Sequence, residues 1–192
     1  MKVIVCGAGQ VGSQISRHLS DEGNGVTVID SNAQLVRAVT DALDVAGVVG
    51  FASHPDVLAR AGARDCDMLI AATSTDEVNM IACQIAFTMF GTKTKIARIR
   101  AAEYSNAPNL FHQDAMPVDF WISPEQLVTE HVQQLIRFPG AFQILEFADG
   151  RVQMAGVRAR RDGRLVGEEL RELHEHLPGI ETRVAAIYRD GV

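Results

Sequence analysis

The stretch Val5-Cys6-Gly7-Ala8-Gly9-Gln10-Val11-Gly12 carries the spacing G-x-G-x-x-G, directly behind an apolar β-branched run and directly ahead of a pattern of helical period. Each glycine in that setting has its own task. Gly7 permits a tight turn, Gly9 removes the Cβ that would hold a pyrophosphate off the backbone, and Gly12 lets the helix lie close to the sheet. A helix starting near Val11 offers free N–H groups and the positive end of its dipole to phosphates. Gln10 adds a polar side chain at that helix start. Asp30 ends the second β pattern 18 residues after Gly12, followed by Ser31, where a carboxylate accepts hydrogen bonds from the adenosine ribose. The same carboxylate disfavours a 2′-phosphate, and residues 31–34 contain no arginine to compensate, so the expected ligand is NAD(H) rather than NADP. The structural alternative is a glycine turn that serves only the chain reversal, with Asp30 capping the next helix.

Outward from this stretch, β-branched runs at 2–6, 26–30, 45–49, 68–72, 95–99 and 120–122 alternate with helical patterns starting near Val11, Asn32, Pro55, Asp76 and Asn109. This alternation predicts an α/β fold, a doubly wound Rossmann-type parallel sheet over residues 1–123. Ser123-Pro124-Glu125 then opens a helix that runs to about Arg137 and ends at Phe138-Pro139-Gly140. Its apolar residues Leu127, Val128, Val132, Leu135 and Ile136 fall largely on one stripe, so 124–139 reads as a connector or an oligomer contact. Residues 140–192 form a small α+β region: strands at 143–147 and 152–157 around Asp149-Gly150, a polar helix at 168–177 and a strand at 182–188. That is too little for an independent core, so a truncated domain is expected.

The composition, 47% hydrophobic and 22% charged residues, has ample material for a core. A net charge of −6 argues against a nucleic-acid partner, which draws on clustered Lys and Arg. The one short basic cluster, Arg158 with Arg160 and Arg161, reads as a solvated hairpin face. Cys6, Cys66 and Cys83 lack the close pairing of a zinc site or redox dithiol, which fits a reducing, cytoplasmic compartment. No apolar run reaches the ~18–20 residues of a membrane span, so direct membrane insertion is not expected.

Two further segments fall at the carboxyl edge of the expected sheet, where ligands bind in open α/β folds. The loop from Thr73 and Ser74 to Asn79 could serve a ligand, although its spacing alone favours a helix start with Thr75 as cap and Asp76 and Glu77 complementing the dipole. Arg98 and Arg100 are expected on one face, flanking Ile99, to pair with phosphate, with a neighbouring subunit's acid, or in a plain surface salt bridge. Catalytic machinery is thin. His18, His54 and His112 lie in the first domain, but no Tyr-x-x-x-Lys pair, serine elbow or His-Glu metal pattern accompanies them. A nucleotide bound without such groups more naturally acts as a signal that shifts a conformational equilibrium. A small NAD-dependent oxidoreductase is the alternative, and a scaffold whose turn no longer binds ligand is a third.

Five stretches together resemble the RCK/KTN family of regulatory domains: Val5 to Gly12, Gly50 to Pro55 with Ser53-His54-Pro55, Thr73 to Met80, Ile96-Ala97-Arg98-Ile99-Arg100, and Ile122 to Leu127. Residues 182–189 are similar to part of the small C-terminal domain of that family. The resemblance implies a non-catalytic cytoplasmic regulator that assembles as a homo-oligomer, dimer or tetramer, on the inner face of a membrane-embedded potassium-transporting subunit of the Trk type. It implies NAD(H) or ATP/ADP as ligand, with Gly7, Gly9, Gln10, Val11 and Gly12 at the phosphates and Asp30 and Ser31 at the ribose. It further implies Ser53, Thr73 and Ser74 on the adenosine side and Arg98 near the phosphates. Phe51 departs from the acidic residue that many relatives carry after the third strand. Such relatives also carry a tandem second copy of both domains, absent from this sequence.

Overall fold

Val3, Ile4, Val5 and Cys6 are all buried, as the continuous apolar run of a central parallel strand requires. In the computed structural model, which describes residues 1–107, 109–148, 150–159, 163, 166–167 and 183–189, these residues form β1 (Lys2–Cys6). Alternate side chains of β1 enter opposite layers: Val3 and Val5 pack with Val26, Val28 and Val39, and Ile4 and Cys6 with Ile29, Leu58 and Leu69. The sheet therefore has a hydrophobic layer on each face, each fully buried aliphatic side chain contributing about 1.5–3 kcal/mol.

The other strands are β2 (Gly25–Asp30), β3 (Ala46–Val49), β4 (Met68–Ala71), β5 (Thr94–Arg98) and β6 (Phe120–Ile122). All pairs are parallel, in the order β3-β2-β1-β4-β5-β6, a doubly wound Rossmann-type sheet as the sequence predicts. The helices are α1 (Gln10–Asp21), α2 (Ala33–Ala42), α3 (Pro55–Arg60), α4 (Asp76–Phe90), α5 (Ala102–Ser105) and α6 (Pro124–Arg137). The chain reverses its winding between β1 and β4, which puts the crevice for a ligand at their carboxyl ends.

The helix expected near Asn109 does not form. Described residues 109–115 are turns and bends, closed by Met116 N–H donating to Leu110 O at 3.1 Å and Ala115 N–H to His112 O at 3.1 Å. The backbone closes these turn bonds in place of a helical ladder, and Leu110, Phe111 and Met116 pack against the core without a helix.

Residues 1–128 and 129–192 are two compact units. In the second, β7 (Ala141–Phe147) and β8 (Val152–Val157) pair antiparallel, with an irregularity between Ala141 and Gln143 that lets β7 start two residues before the expected 143. Ala148 has φ of 52° and Gly150 φ of 80° in the connecting turn. The helix expected at 168–177 lies outside the described residues, as do Asp149, Arg160 and Arg161; Arg158 is exposed. Of the strand expected at 182–188, residue 182 lies outside the described residues, and described residues 183–189 carry no regular structure. Among the described residues β7 and β8 pair only with each other, so no ladder is supplied to that segment. No helix among the described residues is long and apolar enough to cross a membrane.

Candidate nucleotide-binding site

Gly7 has φ of 105°, and a Cβ there would lie 2.8 Å from Ala72 O and 3.0 Å from Thr73 N, so the turn after β1 is pressed against the end of β4. At Gly12 a Cβ would fall 1.8 Å from Gly7 O, which fixes α1 directly behind the turn. Gly9 differs from both. Its φ of −69° and ψ of −170° suit any residue, and a Cβ there meets nothing within 4 Å. The fold has no need of glycine at position 9; the open space above it, at the start of a helix that no side chain caps, is where a phosphate would approach. Gln10 is exposed and Val11 half-buried at that start. From Ala8, Gly9 and Gln10 a groove of about 540 Å³ runs between α1 and α2, past Ser13, Leu35 and Val39.

Asp30 is tied to this turn. Its Oδ2 accepts Ala8 N–H at 2.7 Å and its Oδ1 accepts Asn32 N–H at 2.8 Å. A carboxylate offers about four acceptor positions, so two stay available to ribose hydroxyls. Capping of α2 falls instead to Asn32, which accepts Gln34 N–H at 2.9 Å. Ser31 is exposed beside it, and Ser53 is half-buried in the turn after β3. That turn is joined to the same strand end, because Gly50 N–H donates to Asp30 O at 2.9 Å.

On the other side, the loop between β4 and α4 is held by two buried polar residues, Asp76 and Asn79, which the sequence reading placed only as a helix start or a ligand-facing loop. Asn79 Nδ2 donates to Arg98 O at 2.8 Å, and Asn79 Oδ1 accepts Thr73 N–H at 2.9 Å and the Thr73 hydroxyl at 2.7 Å. Asp76 Oδ2 accepts the N–H groups of Arg100 and Ala101, each at 2.8 Å. Thr75 occupies the N-cap position of α4 without a side-chain cap, and Asp76 and Asn79 reach across to the end of β5 instead. The signal was present as two short polar side chains three residues apart in the first turn of a mostly apolar helix. Truncating Asn79 to alanine is expected to destabilise the first unit by about 1–3 kcal/mol, read from urea denaturation, because Thr73 N–H and Arg98 O lose their partner.

Arg98 and Arg100, expected to act alike, find different neighbours. Arg98 Nη2 donates to Glu125 Oε1 at 2.9 Å, while its buried Nε has no hydrogen-bond partner. Arg100 Nη2 donates to Ser74 O, and its Nε lies 3.8 Å from Asp76 Oδ1. A continuous edge results, from Ser53 through Asp30, Ala8, Gly7 and Thr73 to Arg98. The edge bears backbone N–H groups, hydroxyls, one carboxylate and one guanidinium, a set suited to a phosphorylated ribose.

Among the described residues, no group of three or more His, Cys, Asp or Glu is placed to hold a metal ion. Burial pushes the Cys6 thiol well above its usual range, and burial raises Cys83 to about 12 against the lowering effect of Lys95. Both are packing groups at neutral pH.

The family model described as the TrkA-N domain matches residues 3–124. A Trk system potassium uptake protein TrkA from Halomonas elongata is 53% identical over 98% of this chain and 41% of its own length. A protein of the same description from Vibrio alginolyticus is 50% identical over 100% of this chain and 42% of its own. The chain thus spans about two fifths of these relatives. Among solved structures, the GsuK channel bound to NAD superposes with a TM-score of 0.62 at 15% identity, covering 77% of this chain and 25% of that one. That likeness concerns the fold.

Proposed function

The chain belongs to the TrkA-N domain family, and from that membership we propose that it is the nucleotide-sensing part of a regulatory subunit of potassium uptake. The ligand is NAD(H), with ATP or ADP competing for the same edge. Gly7, Gly9, Gln10, Val11, Gly12 and Arg98 serve the phosphates, Asp30 and Ser31 the ribose, and Ser53, Thr73 and Ser74 the remainder of the adenosine. The observation that carries the reading is the open space over Gly9, at an uncapped helix N-terminus one residue from the Ala8–Asp30 bond.

The names of the relatives favour a potassium uptake role, and the NAD-bound channel of like fold favours the ligand class. The protein works without catalysis: the bound nucleotide shifts the population of two shapes by its differential affinity for them. It acts in the cytoplasm at the inner face of the membrane, on a membrane-embedded transporting partner of the Trk type. Residues 1–123 are the sensing domain, 124–139 the connector and 140–192 belong to a second domain. The exposed residues Leu127, Val128, Val132 and Ile136 on α6 support a homo-oligomer, dimer or tetramer, built through that helix.

The test is calorimetric titration with NADH, NAD, ATP and ADP, with Asp30→Ala as control. Asp30→Ala is expected to weaken the best ligand at least about tenfold, since hydrogen bonds to a charged acceptor contribute about 1.5–3 kcal/mol. In cells carrying the full-length protein, the same substitution is expected to blunt the response of potassium uptake to nucleotide. Loss of binding with an intact response would refute the sensing role.

A further inference from the structure

The turn after β3 carries an aromatic side chain that the reading above leaves unused. We propose that Phe51 is the platform on which the base of the bound nucleotide stacks; the inference rests on the nucleotide reading of this edge.

Phe51 is 57% exposed, yet its backbone is fixed on every side. Gly50 N–H bonds to Asp30 O at 2.9 Å, Ala52 is buried in the core, and His54 N–H donates to Phe51 O at 3.0 Å. The ring has one aromatic neighbour, His54, with centroids 5.3 Å apart at an interplanar angle of 44°. An exposed phenyl group on a backbone fixed in this way has only its side-chain rotamer left to order when a ligand covers it.

Its place along the edge is what selects the occupant. The phosphate position lies over the end of β1, and the ribose acceptor Asp30 ends β2, the next strand in the sheet. In a nucleotide the base leaves the ribose on the side away from the phosphates. The same direction continued by one strand reaches the end of β3, where Asp30 pairs in register with Val49, two residues before Phe51. A flat apolar face there matches the π-face of a purine and offers the phosphates or ribose nothing.

Stacking of a base on an aromatic side chain amounts to about 10- to 100-fold in affinity. Phe51→Ala is therefore expected to weaken ADP and NADH by that factor in calorimetry with an unchanged melting temperature, and Phe51→Tyr to restore affinity to within about threefold. A second measurement reads the contact itself: in a Trp121→Phe background, Phe51→Trp places the chain's one tryptophan in the turn, and saturating ADP is expected to quench its fluorescence. Wild-type affinity in Phe51→Ala together with an unquenched Trp at position 51 would overturn the stacking role while leaving the site intact. Failure of the wild-type chain to bind any of these nucleotides would overturn both readings.

Discussion

Alanine at Gly9 is expected to remove nucleotide binding from a folded protein, whereas alanine at Gly12 is expected to destabilise the fold itself. At position 9 the backbone is ordinary and the added methyl group points into open space. Stability should stay within about 1 kcal/mol of wild type, the scale of helix-cap and unfolded-state effects. The methyl would occupy the ground over which the phosphates must approach the N-terminus of α1. One or two charge-assisted hydrogen bonds lost correspond to about 100-fold or more in affinity. At position 12 the methyl would sit 1.8 Å from the carbonyl oxygen of Gly7, a backbone atom clamped between β1 and the end of β4. Neither partner is the free end of a flexible side chain. Overpacking of that severity belongs at or above about 3 kcal/mol, a fall of roughly 6–12 °C in melting temperature for a chain of this size. Paired urea denaturation and NADH titration of the two variants check both outcomes. Wild-type affinity in Gly9→Ala would reduce the glycine turn to a structural device and end the case for the site.

The contrast between those two glycines also marks what was legible in the sequence. Strand positions could be read because the central strands are buried on both faces and therefore apolar throughout, Val3 to Cys6 most clearly. The glycine spacing fixed the turn because backbone geometry admits few alternatives. Harder to read were side chains whose partners are distant in sequence. Asn79 bonds to the carbonyl of a residue 19 positions away and Asp76 to amides 24 and 25 away, and local spacing made both resemble an ordinary helix start. Period-two reasoning grouped Arg98 with Arg100, but β5 ends at Arg98, and the alternation cannot say which partner each guanidinium finds, Glu125 for Arg98 and the Ser74 carbonyl for Arg100. The segment from Asn109 had apolar residues at helical spacing, but turns closed by backbone bonds bring the same side chains to the core. The segment from Thr182 had strand composition, but β identity is conferred by a partner strand, which composition cannot supply.

Asp119→Ala is expected to be the most destabilising truncation of a single polar side chain in the first unit, because it leaves a buried ammonium without its counter-ion. Lys95 is only 1% exposed; its Nζ lies 2.8 Å from Asp119 Oδ2, donates to the carbonyls of Thr92 and Lys93 at 3.2 Å, and sits 5.2 Å over the ring of Phe87. The same carboxylate oxygen accepts the Lys95 amide at 2.7 Å, and Asp119 N–H returns a bond to Lys95 O at 2.9 Å. Breaking such a pair by removing one partner costs about 3–5 kcal/mol, and the partial exposure of Asp119 argues for the lower end. The consequence reaches the ligand edge. Asp119 immediately precedes β6, whose Ile122 pairs in register with Arg98, and α6 follows at once with Glu125 against the Arg98 guanidinium. Loosening β6 therefore frees Arg98 from its acidic neighbour. The expected outcome is a large loss of stability in urea denaturation, with amide-exchange protection falling first in β6. Lys95→Met combined with Asp119→Ala should recover much of the loss, since no charge then stays buried. A loss under about 1 kcal/mol for Asp119→Ala would mean that water reaches the Lys95 ammonium, and that the edge strand is held by its backbone ladder and apolar packing alone.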